Sequence, residues 1–272
     1  MNIQKLDENE KLNWEKDDLL IEKKEIDVLI INTGGTFGMK RTKGGYRPQN
    51  ELLSHLHSSK YLYDKDYSNK YSKKRTSCTP ETWHNQRLRY HLHEYEDLID
   101  SSELNSRHYW KIATTIEENY EKYDSFIIIY GTDTMAYMAS QLSFMLENLS
   151  KTVVITGSQV PISEWRSDAE SNLIGALTVA EYCIPEVTVL FNGSLFRGNR
   201  IVKIDSYKLQ PFSSPNFPEL AKFDIFLNYK RDLILKLPTE DEKFKVFKLI
   251  ERKISIIYIH PLITTNIFLA NF

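Results

Sequence analysis

Four short apolar runs recur along the chain, and each is followed at once by a polar turn. Continuously apolar runs of this length are typical of strands that are buried on both faces of a parallel sheet. Amphipathic helical patterns separate these runs, which indicates βαβ units. The sequence therefore predicts an α/β fold with three layers, α/β/α, around a mainly parallel sheet whose strands include residues 26–32, 125–130, 152–156 and 187–191.

The turns after the first two strands carry hydroxyl and carboxyl groups. Thr33-Gly34-Gly35-Thr36 follows the first strand, and Gly131-Thr132-Asp133 follows the second. Open α/β sheets bind ligands beyond the carboxyl ends of their strands, so a hydroxyl at Thr36 can be a nucleophile there. Both turns also have an ordinary structural explanation, because Gly-Gly is a common turn and Thr and Asp cap helices well. The first turn matches neither the G-x-G-x-x-G nor the P-loop pattern.

Two residues outside these turns are candidates for the same edge of the sheet. Residues 39–48 form a polar, glycine-bearing segment whose one aromatic side chain is Tyr46, and such a segment beside a nucleophile can be a lid. Gly198-Asn199 predicts a sharp turn or hairpin, and Lys203 follows it.

The composition excludes several classes of protein. The chain has 272 residues, of which 41% are hydrophobic, and a formal net charge of -2. This charge argues against general nucleic-acid binding, and the apolar runs are too short to span a membrane. The charged N-terminus lacks the apolar segment of a secretory signal, and the two cysteines, Cys78 and Cys183, are not expected to form a disulfide. We therefore expect a cytoplasmic protein.

Changes in apolar content along the chain predict its domain organisation. Residues 1–25 are a charged extension, and residues 26–220 are the main α/β domain. Within that domain the polar stretch 58–79 is interpreted as a partly disordered insertion. Residues 221–253 are interpreted as a charged connector, and residues 254–272 begin with an apolar strand and contain only the start of a second, smaller α/β domain.

Two further patterns have weaker functional interpretations. His91 and His93 share a face of a predicted strand, as in some metal sites. No third ligand stands at a characteristic spacing, so we expect no metal. The basic run at residues 73–75 is better explained as a solvated loop than as a binding patch.

Taken together, the turns resemble those of the bacterial-type L-asparaginases, and most closely those of the cytoplasmic type I group. The resemblance covers residues 26–272 apart from the 58–79 stretch. The matching segments are Thr33–Thr36, Gly131–Met135, Thr156–Gln159, Arg166–Asp168, Arg197–Lys203 and Ser213–Asn216. The sequence departs from the family at Tyr130, where His is common, and in its second domain, which family members carry complete.

The resemblance implies a catalytic role for five residues. Thr36 corresponds to the first nucleophile, which attacks the side-chain amide of L-asparagine, and Tyr46 to the lid tyrosine that assists it. Thr132, Asp133 and Lys203 correspond to the second catalytic group, in which the lysine and the aspartate polarise the threonine.

The resemblance also implies a substrate-binding set. Ser101 and Ser102 correspond to the positions that hold the amino-acid head of the substrate, although serines before a helical pattern are also ordinary caps. Asp133 corresponds to the partner of the substrate's ammonium group. Gly35 and Gly131 belong to the turns that line the same site.

The implied chemistry is consistent with the properties of these side chains. A threonine hydroxyl is a poor nucleophile until a base takes its proton, and a buried lysine that loses its charge can serve as that base. Backbone N–H groups at the Gly-Gly turn can stabilise the oxyanion, an effect worth about 3–4 kcal/mol per donor in a well-studied hydrolase. Acyl transfer with loss of ammonia requires no metal and no organic cofactor.

Three hypotheses about function remain open from the sequence. The first is an L-asparagine amidohydrolase without nucleic-acid or membrane partners, which would form the homodimer or homotetramer of the family if its second domain were complete. The second is a related amidase that acts on another amide, such as glutamine or a charged transfer RNA. The asparaginase-like subunit of the archaeal tRNA amidotransferase shares these motifs. The third is an inactive, truncated paralogue that binds an amino acid or a partner.

Overall fold

The computed structural model describes residues 18–49, 51–71, 76–103 and 105–248, together with residues 258, 259, 261, 263 and 265. Within these residues the helices are α1 (Leu52–Ser58), α2 (Lys65–Tyr71), α3 (Ser106–Asn119), α4 (Met135–Met145) and α5 (Ala169–Val179). The strands are β1 (Glu25–Gly34), β2 (Met39–Thr42), β3 (Gly45–Pro48), β4 (Ser77–Cys78), β5 (Arg87–Ile99), β6 (Ser125–Ile129), β7 (Leu146–Glu147), β8 (Thr152–Thr156), β9 (Val187–Phe191), β10 (Ser194–Arg197), β11 (Val202–Lys203), β12 (Phe212–Ser213), β13 (Ala221–Phe223), β14 (Leu227–Tyr229) and β15 (Lys245–Val246).

Nine strands form one mixed sheet, in the order β14-β13-β10-β9-β8-β6-β1-β5-β4. The five central strands, from β9 to β5, are parallel to one another. The outer strands pair antiparallel with their neighbours at both edges. The four predicted strands all lie in the parallel centre, where burial on both faces explains why they are almost continuously apolar.

The side chains of β1 alternate between two hydrophobic cores. Val28 and Ile30 lie in one core with residues of α1 and α5, whereas Leu29 and Ile31 lie in the other with residues of α3 and α4. Full burial of an apolar side chain of this size contributes about 1.5–3 kcal/mol, so covering both faces of the sheet is favoured. The predicted three-layer α/β/α arrangement is confirmed.

Helix α3 has its own cap, three residues beyond Ser102. The Asn105 side chain accepts a hydrogen bond from the backbone N–H of Arg107 at 3.0 Å. The Nδ1 atom of His108 accepts one from the backbone N–H of Asn105 at 3.1 Å. This reciprocal arrangement satisfies donors at the start of the helix, so Ser101 and Ser102 are not needed as its caps.

The polar stretch 58–79 is ordered over its described residues. It contains α2 and β4, and it buries Leu62 and Cys78. Strand β4 pairs with β5 at the edge of the main sheet. Residues 72–75, which include the basic run, lie outside the described residues.

A tight hairpin lies just before the turn predicted at Gly198-Asn199. Asn192 and Gly193 connect the antiparallel strands β9 and β10, with φ angles of 45° and 77°. Two consecutive residues with positive φ are typical of the tight turn that matches strand twist. Gly198–Arg200 forms a 3₁₀ turn, so the structure has the turn rather than the hairpin of the two alternatives predicted at Gly198-Asn199, and the chain leads from it into β11.

The C-terminal part of the described chain adds to the sheet. Strands β13 and β14, in the segment interpreted as a connector, extend one edge of the main sheet. The strand expected at the start of residues 254–272 falls outside the described residues apart from Tyr258 and Ile259, and most of the 1–25 extension also falls outside. The division into domains therefore stays a prediction.

Across the described ranges, no helix has the length and apolar character needed to cross a membrane.

Candidate active site

The strand order of the parallel sheet reverses between β1 and β6. Strand β5, the next parallel strand after β1 along the chain, lies on one side of β1, and β6 lies on the other. Such a reversal opens a crevice beyond the carboxyl ends of the two strands, where open α/β sheets bind ligands. Thr36 follows β1, and Thr132 and Asp133 follow β6, so both candidate turns border this crevice.

Glycines let three turns of the crevice pack against one another. A Cβ atom at Gly35 would lie 2.5 Å from the Cα atom of Gly131, and a Cβ atom at Gly131 would lie 2.5 Å from the Oγ atom of Ser101. Gly35 also has a φ of 78°, which side-chain-bearing residues rarely adopt. Close approach therefore explains the glycines, and their role in binding substrate stays a prediction.

Lys203 joins the turn after β6. Its Nζ atom donates to the Oγ1 atom of Thr132 at 2.8 Å and to the Oδ1 atom of Asp133 at 2.7 Å. The lysine comes from β11, which is held by antiparallel pairing with β12. The structure thus brings together the three residues of the predicted second catalytic group, although Lys203 is far from the other two in sequence.

The members of this group differ in their access to solvent. The Lys203 side chain is 15% exposed, whereas that of Asp133 is 63% exposed. The Asp133 carboxylate can therefore receive a second cation from solvent while it pairs with the lysine. Thr132 is buried, and its hydroxyl also donates to the Oε1 atom of Gln159 at 3.1 Å.

Thr36 and Tyr46 lie on a connected segment beside the crevice. Thr36 is half-buried at the start of a 3₁₀ turn, and Tyr46 lies on the β2–β3 hairpin with 47% of its surface exposed. A hydrogen bond to the carboxylate of Glu164 raises the pKa of Tyr46, because the phenol donates and the phenolate cannot. The Ser163 hydroxyl donates to the carbonyl of Met39 at 3.1 Å, so the hairpin is tied to the loop after β8.

The two candidate serines have different surroundings. Ser101 is buried, and its carbonyl accepts a hydrogen bond from the Thr134 hydroxyl at 2.8 Å. Ser102 is exposed, and its hydroxyl donates to Asp100 at 2.9 Å. To donate a hydrogen bond to a substrate, the Ser102 hydroxyl would have to break its hydrogen bond to Asp100. It could accept a hydrogen bond without breaking it.

Tyr130 stands where the resemblance leads one to expect a histidine. Its side chain is fully buried, and its hydroxyl lies 3.2 Å from the Oγ1 atom of Thr134, the same hydroxyl that bonds to Ser101. Burial raises the pKa of Tyr130, so the phenol stays neutral. Tyr130 therefore supports the Ser101 turn from within the core.

Two polar residues of this edge were not assigned roles from the sequence. Gln159 contacts Thr132, and Asp168 accepts the backbone N–H groups of Gln159 and Val160 at distances from 2.9 to 3.1 Å. Both residues lie in the segments Thr156–Gln159 and Arg166–Asp168 that carry the resemblance. The position of Gln159 shortly after the end of β8 was the signal that could have identified it, whereas Asp168 stands immediately before helix α5, where an acidic residue is also an ordinary cap.

The described residues contain no group of three or more His, Cys, Asp or Glu side chains that could hold a metal ion. His91 lies on β5, and its Nε2 atom is 3.0 Å from the Thr76 hydroxyl. His93, two residues further along the strand, is exposed and contacts the ring of Tyr95 edge-on.

Comparison with known proteins identifies the family. The family described as "Asparaginase, N-terminal" matches residues 27–235. The chain belongs to the asparaginase family. All the residues of the predicted catalytic group and substrate-binding set lie within the matched range, and their individual roles stay predictions.

The similar proteins include one named as an L-asparaginase and one named as a lysophospholipase. The L-asparaginase of Dirofilaria immitis is 43% identical over 243 residues, covering 87% of this chain and 41% of the relative. The 60 kDa lysophospholipase of Mus musculus is 43% identical over 211 residues, covering 77% of this chain and 37% of the relative. The chain therefore spans about two fifths of the length of these two relatives.

A solved asparaginase structure has the same fold. The crystal structure of L-asparaginase I from Vibrio cholerae O1 biovar eltor superposes with a TM-score of 0.76 at 36% sequence identity. The match covers 91% of this chain and 68% of that one. The resemblance stated from the sequence motifs and the predicted α/β fold are both confirmed.

Proposed function

We propose that this chain supplies the catalytic machinery of an L-asparagine amidohydrolase, with Thr36 as the nucleophile. The observation that carries the proposal is the contact of Lys203 with both Thr132 and Asp133 at the crevice that Thr36 borders. An amide is a poor electrophile, so its hydrolysis needs an activated hydroxyl, a proton relay and a place for the oxyanion. Family membership supports the same reaction class.

The first half of the proposed reaction is acyl transfer to Thr36. Its oxygen forms a bond to the side-chain amide carbon of asparagine, the hydroxyl proton passes to a base, and Tyr46 on the adjacent hairpin assists this transfer. Backbone N–H groups of the Gly34-Gly35 turn stabilise the oxyanion. The carbon–nitrogen bond then breaks, and the nitrogen leaves as ammonia with the transferred proton.

The second half is hydrolysis of the Thr36 ester. Water adds to the ester carbon, its proton enters the relay of Thr132, Lys203 and Asp133, and aspartate leaves as the Thr36 hydroxyl is restored. Lys203 is mostly shielded from solvent, which strengthens its interaction with the Thr132 oxygen relative to an exposed lysine. No metal or organic cofactor takes part in either half.

Substrate recognition in this proposal depends on the ends of the asparagine molecule. The exposed carboxylate of Asp133 pairs with the substrate's ammonium group, and the Ser101–Ser102 turn receives its α-carboxylate. The close packing of Gly35, Gly131 and Ser101 keeps these turns at a fixed separation. The cytoplasm and a family-like homo-oligomer are the proposed setting.

Ammonia release by the purified chain tests the proposal. Turnover of L-asparagine that is faster than that of L-glutamine, and lost in Thr36→Ala, is the expected result. Faster turnover of glutamine or of a charged transfer RNA would favour the related amidase. A lysophospholipid, assayed by release of its fatty acid, belongs in the same panel because the mouse relative is named a lysophospholipase. A folded wild-type chain that turns over none of these substrates would favour a binding protein.

A further inference from the structure

A cavity lies along the second half of helix α5, away from the crevice. The helix begins directly after Asp168, at the edge of the candidate active site, and extends about 16 Å from there. The cavity has a volume of about 380 Å³, which is within the range of small-molecule sites. One wall is the segment 79–84. The opposite wall is a stripe at helical spacing, formed by Ile174, Leu177, Thr178 and Glu181.

The Glu181 carboxylate lines this cavity and has one oxygen without a partner. Its side chain is only 1% exposed. The Oε2 atom accepts from the Thr82 hydroxyl at 3.2 Å and lies 2.5 Å from the Nδ1 atom of His84. No donor among the described residues reaches the Oε1 atom. A buried carboxylate oxygen that lacks a donor is costly, so a ligand that donates to Oε1 is favoured.

The charges around the cavity favour a cation. Glu81 and Glu181 both line it, and His84 is the only basic residue among the described residues that do so. Two carboxylates against one histidine leave a net negative charge whether or not the histidine is protonated. The C-terminal end of α5 adds a partial negative charge of its own.

The rest of the cavity is apolar and aromatic. Leu62 and Leu88 line it and are buried, whereas Tyr61 and Trp83 line it and are exposed. The Trp83 ring contacts the Phe226 ring edge-on at a centroid distance of 5.7 Å, which holds the indole in place. Aromatic faces attract organic cations, and apolar walls favour a ligand with an apolar body.

We propose that this cavity is a ligand site separate from the crevice, and that it binds an organic cation with an apolar body. The ammonium group of the ligand donates to the Oε1 atom of Glu181. Its apolar body packs on Ile174 and Leu177, with the Trp83 ring beside it. Binding at this site does not depend on the reaction proposed for the crevice.

Three probes of similar size and different charge test the proposal on the unmodified chain. They are phenethylammonium, the neutral 2-phenylethanol and the anion phenylacetate, each titrated by isothermal titration calorimetry at neutral pH. We expect phenethylammonium to bind at least about tenfold more tightly than 2-phenylethanol, which corresponds to about 1.4 kcal/mol, and phenylacetate to bind most weakly. Equal affinities, or no binding of phenethylammonium at about 10 mM, would overturn the proposal.

A matched pair of substitutions locates the probe. Glu181→Gln removes the charge with little change in size, and we expect it to weaken phenethylammonium about tenfold and 2-phenylethanol less than about twofold. Asp133→Asn is the control, because it makes the same change at the exposed carboxylate of the crevice. Its affinity for phenethylammonium should stay within about twofold of the wild type. Loss of binding in Asp133→Asn, or an unchanged preference for the cation in Glu181→Gln, would refute the site.

A third substitution covers the case in which Glu181→Gln does not fold. Thr178 is half-buried, lines the cavity, and uses its hydroxyl only for a bond to the Ile174 carbonyl within α5, at 3.0 Å. Thr178→Trp should therefore fill the cavity and weaken phenethylammonium and 2-phenylethanol alike, by at least about tenfold. A folded Thr178→Trp variant that binds both probes as the wild type does would overturn the proposal.

Discussion

Replacing Lys203 by Met removes the amine of the proposed relay while keeping a side chain of similar length. The substitution deletes two hydrogen bonds, of 2.8 Å to Thr132 and 2.7 Å to Asp133. Hydrogen bonds to charged groups contribute about 1.5–3 kcal/mol, and positioned proton transfer contributes about 10²–10⁴ in rate. We expect kcat to fall at least about a hundredfold, which corresponds to about 2.7 kcal/mol in the barrier.

The assay for Lys203→Met is ammonia release over a range of asparagine concentrations, so that kcat and KM are obtained separately. Lys222→Met is the matched control, because Lys222 is an exposed lysine on the short strand β13 and should leave kcat unchanged. Thermal unfolding of both variants shows whether the fold survives. A folded Lys203→Met variant whose kcat lies within tenfold of the wild type would refute the relay.

Three further substitutions or probes extend these expectations. Thr36→Ala should abolish turnover with an unchanged circular dichroism spectrum, and more than a tenth of wild-type activity, a loss under about 1.4 kcal/mol, would contradict the nucleophile assignment. Gly131→Ala should lower stability by about 1–3 kcal/mol and also lower activity, because its Cβ atom would lie 2.5 Å from the Ser101 Oγ atom; an unchanged denaturation midpoint would argue against this packing. Cys78 is buried, which raises the pKa of its thiol, so alkylation of the native protein should be much slower than alkylation in urea, and equal rates would contradict the burial.

The parallel strands and their turns could be predicted because the signal is local. Residues 152–156 and 187–191 were assigned with the bounds that the structure shows, since each run is apolar and ends in a polar turn. The position of Thr36 and Thr132 at the carboxyl ends of strands followed from the same pattern. Because the strands are parallel, their carboxyl ends lie along one edge of the sheet. Placing the two turns at this edge therefore needs no knowledge of individual long-range contacts.

The contacts of the site could not be derived from local pattern. Lys203 reaches Asp133 only because β11 pairs with β12 and folds back over the strand ends, and no periodicity in the sequence encodes that return. The Gln159 side chain donates to the backbone carbonyls of Ser206 and Lys208, which any residue types would supply. The family resemblance, rather than residue spacing, was what suggested Lys203.

The short strand β4 at the edge of the sheet was not predicted from the sequence, for a related reason. Short edge strands have few apolar residues because only part of their surface is covered. Strand β4 contains two residues and lies in a stretch with little apolar content, yet both Ser77 and Cys78 are buried against β5. The low apolar content of this stretch predicted disorder. Strand β4 is ordered nevertheless, because it pairs with the long strand β5.

The departure of this chain from its family at Tyr130 leads to a final prediction. Tyr130 is fully buried, and its hydroxyl contacts Thr134, which in turn donates to the carbonyl of Ser101. Tyr130→Phe keeps the ring and removes only the hydroxyl, while Thr134 retains its bond to Ser101. We expect a loss of about 0.5–1.5 kcal/mol in the free energy of unfolding and a kcat within about threefold of the wild type.

The pH dependence of Tyr130→Phe gives an independent check on this role. Burial raises the pKa of Tyr130 above its ordinary value of 10.0, so the neutral phenol is favoured in the folded state. Its contribution to stability is then complete below about pH 10 and is lost as the pH rises toward the raised pKa, because the unfolded chain releases the proton first. The variant should lose stability less steeply than the wild type above about pH 10, as measured by urea denaturation at each pH. Equal slopes would mean that the Tyr130 hydroxyl reaches solvent, and a tenfold or larger loss of kcat at neutral pH would mean that Tyr130 does more than support the Ser101 turn.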